Sequence, residues 1–173
     1  MSRAELEGAI RQVPDFPAPG ILFFDILPLL KDPKHFSTLT KELSAFANVI
    51  DVVAGIEARG LILGSAVALH LGKGFVPLRK KGKLPYKTYS YKYDLEYGSS
   101  ELEIHMDAVK PDWNVVIHDD LLATGGTADA AAHLVNQCSG NVVGYSFLVN
   151  LSFLNGDKIL KSHTSKMVNI ATY

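Results

Sequence analysis

Apolar and polar positions alternate along this chain with two periods, and the switches between them mark its elements. Residues 1–10, "MSRAELEGAI", have helical spacing, with Ser2 and Glu5 separated as in a capping box. "PDFPAPG" (14–20) is too rich in proline for a helix, and "ILFF" behind it reads as a short extended piece. Asp32 followed by Pro33 is a cap-plus-first-turn signature, and "KHFSTLTKELSAFA" continues from it with helical periodicity. "DVVAG" (51–55) predicts a buried strand, "IEARG" a turn, and "LILGSAVALHL" an apolar helix closed by Gly72.

"FVPLRK" (75–80) predicts the next strand. From 81 to 100 the rhythm changes: Tyr89, Tyr91 and Tyr93 alternate with polar residues, "YGSS" supplies a turn, and "ELEIHM" alternates again. That pattern predicts a β-hairpin or long flap. "NVVIH" (114–118) is then a strand, "TADAAAHLVNQC" a helix, and "VVGYSFLVN" and "KMVNIAT" two further strands. Strand–helix alternation beyond residue 50 implies an α/β fold, a mainly parallel sheet with helices on its faces. No repeat or linker divides the chain, so residues 1–173 are expected to form a single domain.

Composition narrows the class. The chain is 47% hydrophobic and 20% charged, enough apolar content for a packed core. Seventeen basic residues against 18 acidic ones give no overall attraction to nucleic acid or anionic membrane. A lone cysteine, Cys138, suits a reducing compartment and reads as a small core residue. The N-terminal stretch lacks the apolar run of a signal peptide, and "LILGSAVALHLG" is too short to span a bilayer. The expectation is a cytoplasmic protein without a membrane or nucleic-acid partner.

The chemistry concentrates in "VVIHDDLLATGGTADA" (115–130). Adjacent Asp119 and Asp120 disfavour each other's ionisation unless something cationic or hydrogen-bonding holds them. In an open parallel sheet, ligands bind beyond the carboxyl ends of the strands. There, Gly125 and Gly126 permit close approach, Thr124 and Thr127 offer hydroxyls, and the following helix offers free N–H groups to an anion. Phosphate donors and ribose acceptors a few residues apart make a cradle for ribose 5-phosphate; the acids could also balance Mg²⁺. The competing reading is an ordinary strand-to-helix turn with one aspartate as a cap. A Walker P-loop is excluded because the Gly-Lys-Ser/Thr ending is absent, and no G-x-G-x-x-G follows a strand.

The whole string resembles the phosphoribosyl-pyrophosphate (PRPP) motif of the type I phosphoribosyltransferases. With "FPAPGILFFDILPLL" (16–30), "GIEARGLILGSAVA" (55–68), "VPLRKKGKLP" (76–85) and "YDLEYGSSELEIHMDAVKP" (93–111) in the same order, the chain resembles the adenine phosphoribosyltransferase family over essentially its whole length. The resemblance implies that family's fold, with residues 1–30 as a hood and 81–105 as a catalytic flap. It also implies transfer of ribose 5-phosphate from PRPP to N9 of adenine, a Mg²⁺ requirement and a homodimer.

Residue by residue, the resemblance assigns Asp119, Asp120, Ala123, Thr124, Gly125, Gly126 and Thr127 to PRPP and AMP. Arg59 falls to pyrophosphate, in a loop expected to hold a cis peptide between Glu57 and Ala58. Arg79 and Lys83 contribute to the same side, with either acting across the dimer interface. Glu96 of "LEYG" becomes the catalytic carboxylate on the flap and Tyr97 its closing neighbour. Leu22, Phe23 and Phe24 are placed at the adenine, with Ile26 as a further wall. No protein side chain is assigned as a metal ligand, since Mg²⁺ is held mainly through PRPP. Phe24 departs from the family, which commonly carries an arginine there, and His118 stands where an aliphatic residue is common.

Other readings stay open on the residues themselves. Arg59 could be a surface charge, Phe23 a core residue and "RKKGKLP" a solvated face or, with its tyrosines, a single-stranded RNA platform. A same-fold rival is transfer to another nucleobase, although Lys158, Lys161 and Lys166 do not stand in a 6-oxopurine context. A rival of another class is a PRPP-binding nucleic-acid regulator, for which the chain offers no added docking element.

Overall fold

The computed structural model describes residues 2–94 and 98–173. Helix α1 (Arg3–Gly8) starts at the expected capping box: Glu5 N–H donates to Ser2 Oγ at 3.3 Å and Ser2 N–H to Glu5 Oε2 at 2.6 Å. Strands β1 (Arg11–Pro14) and β2 (Leu22–Asp25) pair antiparallel as a small separate hairpin. Helices α2 (Leu27–Lys31) and α3 (Pro33–Glu42) follow. Asp32 Oδ1 accepts from the N–H groups of Lys34 and His35 at 2.8 and 2.9 Å, the cap that the Asp–Pro pair predicts.

The main sheet is built from β3 (Val52–Ile56), β4 (Gly74–Lys80), β5 (Thr88–Asp94), β6 (Ser99–His105), β7 (Asn114–Leu122), β8 (Asn141–Asn150) and β9 (Met167–Thr172). Its spatial order is β5-β6-β4-β3-β7-β8-β9. Strands β4, β3, β7, β8 and β9 are mutually parallel; the hairpin β5–β6 joins the β4 edge antiparallel. Helix α4 (Arg59–Leu71) connects β3 to β4, α5 (Gly126–Gln137) connects β7 to β8, and the short α6 (Asp157–Leu160) precedes β9.

Period-two burial divides the core between the two faces. Val52, Ala54 and Ile56 of β3 join Val115 and Ile117 of β7 under α5, while Val53 and Val116 face α4. Every residue of β3 is buried, as a central parallel strand requires. Cys138 is buried, as a core residue should be. No helix among the described residues is long and apolar enough to cross a membrane.

Three features depart from the pattern reading. Strand β7 does not stop at His118 but runs through both aspartates to Leu122, because its ladder with β8 continues as far as Leu122 opposite Asn150. Strand β1 escapes periodicity because it is four residues long and buries none of them. Helices α2 and α6 are too short to carry a 3.6-residue signal.

Candidate active site

The parallel strands, taken in space, run second, first, third, fourth, fifth in chain order. Connections therefore leave β3 and β7 toward opposite faces, and a crevice opens at their carboxyl ends. The loop after β3 supplies Glu57, Ala58 and Arg59; the end of β7 supplies Asp119 and Asp120, with residues 123–127 leading into α5. These segments line one cleft of about 420 Å³, with Lys80, Tyr93 and Ser100 on its β4 and hairpin side.

Arg59 is its hub. The Nε–H donates to Asp120 Oδ2, and the guanidinium carbon lies 5.3 Å from the ring centre of Phe23. One side chain thus joins the β1–β2 hairpin to the acid pair. Asp120 is 5% exposed, so Arg59, and not bulk water, is its polar partner on this side. Asp119 points its Oδ1 at the backbone N–H of Asp120, 2.8 Å away. Burial first, and the Asp120 charge second, push the Asp119 carboxyl well above the usual carboxylate range. The close approach of α4 to these acids depends on Gly60, where a Cβ would lie 2.8 Å from His118 O and 2.9 Å from Asp119 Oδ1.

Neither aspartate caps α5. Its N-cap is Gly125, at φ 89°, a residue with no side chain to bond the first-turn N–H groups. Those donors face the cleft with the helix dipole behind them, as an anion requires. The hairpin overhangs this end: Tyr93 Oη accepts from Thr127 Oγ1 at 3.4 Å. From the other side Gly156, before α6, packs against the turn; a Cβ on it would lie 2.9 Å from Gly125 N.

The expected cis peptide stands between Glu57 and Ala58. Glu57 turns away from solvent to Arg79, whose Nε and Nη2 donate to its two oxygens at 3.0 and 3.3 Å. It also accepts from Lys80 N–H at 2.9 Å. The Arg79 hydrogen bonds, reinforced by this N–H, hold the Glu57 carboxyl below its ordinary range despite partial burial.

The sequence expectations therefore separate. Arg59, Asp119, Asp120 and residues Ala123, Thr124, Gly125, Gly126 and Thr127 converge on one cleft. Arg79 does not line it; the arginine is committed to Glu57 of its own chain, and Lys83 is exposed, its carbonyl 3.4 Å from Arg79 Nη1. Phe23 sits beside Arg59 with Phe16 edge-on at 5.1 Å, and Leu22 is exposed next to it. Phe24 requires a correction. Strand alternation turns it to the opposite side of β2, where it is 5% exposed and stacked on Tyr173 at 4.3 Å, so it packs into a buried apolar cluster instead of presenting a ring to a base. His118 is fully buried beneath α4, and burial pushes its pKa down to about 3, which makes it a neutral core residue. Glu96 and Tyr97 lie outside the described residues.

Four contributors escaped the motif reading. Glu57 lies inside the quoted "IEARG" string and Lys80 inside the basic run, but neither spacing says which way the side chain turns. Tyr93 shares its alternation with Tyr89 and Tyr91, and Gly156 gives no local signal at all.

Known proteins resemble this chain in sequence and in fold. The phosphoribosyl transferase domain matches residues 33–168. The adenine phosphoribosyltransferase of Parvibaculum lavamentivorans is 49% identical over 171 residues, covering 98% of each chain. That of a Synechococcus species is 53% identical over 159 residues, covering 90% of this chain and 91% of its own. Among solved structures, the adenine phosphoribosyltransferase of Rhodothermus marinus superposes with a TM-score of 0.92 at 47% identity, covering 99% of this chain and 98% of its own. The Saccharomyces cerevisiae enzyme, solved with adenine and an imino-altritol bisphosphate, gives 0.91 at 41% identity, covering 97% of each chain. By sequence over nearly its full length, and by fold, the chain belongs to the adenine phosphoribosyltransferase family.

Proposed function

We propose that adenine phosphoribosyl transfer takes place in the β3/β7 cleft, with the following division of labour. The turn 123–127 and the uncapped start of α5 hold the 5′-phosphate of PRPP through backbone N–H groups and the Thr124 and Thr127 hydroxyls. Asp119 and Asp120 accept from the 2′- and 3′-hydroxyls of the ribose. Arg59 and Lys80 face the diphosphate, while Arg79 acts through Glu57 by fixing the loop that carries Arg59. As the C1′–O bond breaks, its electron pair leaves with pyrophosphate, where these cations and N–H groups stabilise the developing charge.

Adenine N9 then bonds to C1′, and the proton displaced from its imidazole ring needs an acceptor. Glu96, by resemblance to the family's "LEYG" glutamate, takes that proton, a step worth roughly 10²–10⁴-fold in rate. Phe23 and Leu22 flank the base. Paired carboxylates, one of them resisting ionisation, are hard oxygen donors whose repulsion a hard cation would relieve, so the site fits Mg²⁺. Bound with PRPP, Mg²⁺ supplies neutralisation of the diphosphate charge, held chiefly by the substrate's own oxygens.

What supports this reading above all is the Arg59–Asp120 pair facing the free N–H groups of α5 across one crevice. The homodimer belongs to it as well: Ile62 and Leu69, seven residues apart on α4, are 45% and 84% exposed, apolar surface a second copy would cover. So does a cytoplasmic location. The test is PRPP-dependent release of pyrophosphate with a panel of bases. Release with adenine and not with guanine, hypoxanthine or uracil is expected; no turnover of adenine would overturn the assignment. Glu96→Gln should lower kcat strongly while PRPP binding persists.

A further inference from the structure

Away from the cleft, three side chains with metal-ligating atoms converge. Asp129 and His133 stand one turn apart on α5, and His163 reaches them from the segment between α6 and β9. His163 Nε2 lies 2.9 Å from Asp129 Oδ1, and His133 Nε2 lies 3.6 Å from Asp129 Oδ2. One ligand atom from each falls within 4.8 Å of the other two. Zinc bound to nitrogen and oxygen at roughly 2.0–2.2 Å in a tetrahedron separates its ligands by about 3.3 Å. The His163 contact is made to Oδ1 and the His133 contact to Oδ2, so each imidazole stands near that separation from one oxygen of the carboxylate. The three ligand atoms, already within 4.8 Å of one another, need to close toward that edge, a movement open to the partly exposed His133 side chain.

The surroundings orient the ligands. Tyr91 stacks on the His133 ring at 4.5 Å and 6°, which fixes the ring plane and leaves its Nε2 edge toward Asp129. The Asn136 amide is 3.5 Å from His163 Nδ1. Turned so that Oδ1 accepts from Nδ1–H, it selects the tautomer whose Nε2 is free to bind a metal. Asp129 and His163 are largely buried, with side-chain exposures of 16% and 9%. Close by, the buried Tyr145 hydroxyl has no hydrogen-bond partner among the described residues, and the Asp129 charge adds to burial in raising its pKa. One carboxylate thus faces two imidazole nitrogens, and a cation between them would accept a lone pair from all three side chains.

We propose that Asp129, His133 and His163 form a site for a late first-row divalent cation, Zn²⁺ foremost, with water as fourth ligand. Two imidazoles select against Mg²⁺, so the site is chemically distinct from the one that serves PRPP. Occupied, it ties α5 to the α6–β9 connection and, through Tyr91, to the β5–β6 hairpin.

The test is calorimetric titration of the tag-free, chelator-treated protein with Zn²⁺ in excess Mg²⁺, repeated with Co²⁺ to follow its visible d–d band. The wild type is expected to bind one Zn²⁺ per chain, to show a tetrahedral Co²⁺ spectrum and to gain thermal stability. His163→Ala and His133→Ala should each weaken binding at least about tenfold. His133 is partly exposed, so its variant is expected to fold and to serve even where the His163 variant does not. Absence of saturable binding by the wild type, or undiminished binding by the His133 variant, overturns the proposal.

Discussion

Arg59 and Asp120 form an ion pair across the switch point of the sheet, the arginine from the loop after β3 and the aspartate from within β7. The aspartate is nearly buried and the arginine is not, which makes the pair asymmetric: removing Arg59 strands a charge, whereas removing Asp120 frees a cation to solvent. Arg59→Ala is therefore expected to lower both kcat/KM for PRPP, by about 10²–10³-fold, and the melting temperature. Adding Asp120→Asn should restore part of the melting temperature without restoring activity. Thermal melts and steady-state kinetics on the single and double variants check this, and a double variant less stable than Arg59→Ala would contradict it.

The acid pair also carries a pH signature. Burial and Asp120 raise the Asp119 carboxyl pKa in the folded state, so the native protein retains a proton that the unfolded chain releases. That contribution to stability is fully present below the ordinary aspartate value and is lost as pH rises through the raised one. Asp119→Asn cannot titrate. The melting temperature of the unliganded wild type should fall relative to this variant as pH is raised from the acid side. Parallel pH profiles for the two proteins would remove the argument.

Arg79 makes two side-chain hydrogen bonds to Glu57 and a longer one to the Lys83 carbonyl, and it does not line the cleft, so its influence should pass through that carboxylate. A double-mutant cycle measures this directly. Arg79→Ala and Glu57→Gln are each expected to raise KM for PRPP, and the double variant should be little worse than either alone. Strictly additive losses would instead place Arg79 on the diphosphate itself.

How much of this was legible beforehand follows from where each interaction lives. Asp32–Pro33, the Ser2–Glu5 box and the continuous apolar run of β3 act locally, and their elements start where the pattern puts them, although α3 ends at Glu42, short of the helical run expected to Ala47. The string from Asp119 to Thr127 was legible as one wall of a cleft because its residues are consecutive. Side-chain direction was not. Phe23 and Phe24 are indistinguishable as letters, yet alternation on β2 sends one to Arg59 and the other to Tyr173, the last residue of the chain. Arg79 found Glu57, 22 residues away, for the same reason: pairing of β3 with β4 sets that proximity, and no spacing encodes it.

Gly156 is the least legible contributor and the sharpest steric test. It has no neighbour of interest in sequence, but a Cβ there would lie 2.9 Å from both Gly125 N and the Thr124 carbonyl carbon, and would also meet Ala123 O. All three belong to the backbone of the turn 123–127, which cannot yield as a flexible side chain would. Gly156→Ala should cost about 1–3 kcal/mol in stability and raise KM for PRPP more than KM for adenine. Equal effects on both substrates would separate Gly156 from the phosphate turn.

Phe24 tests the hood. Its ring stacks on Tyr173 at an interplanar angle of 29°, and Leu29 and Ile26 belong to the same buried cluster. An arginine introduced there must either bury its guanidinium in that apolar cluster or force β2 to turn over. Phe24→Arg is expected to lower the melting temperature and raise KM for adenine, because Phe23 on the same strand loses its place beside Arg59. Phe24→Leu keeps the site apolar and should leave both values much nearer wild type. A stable Phe24→Arg variant with an unchanged KM for adenine would show that the hood accommodates a cation at this position, and the ring stack with Tyr173 would then carry no weight in shaping the base site.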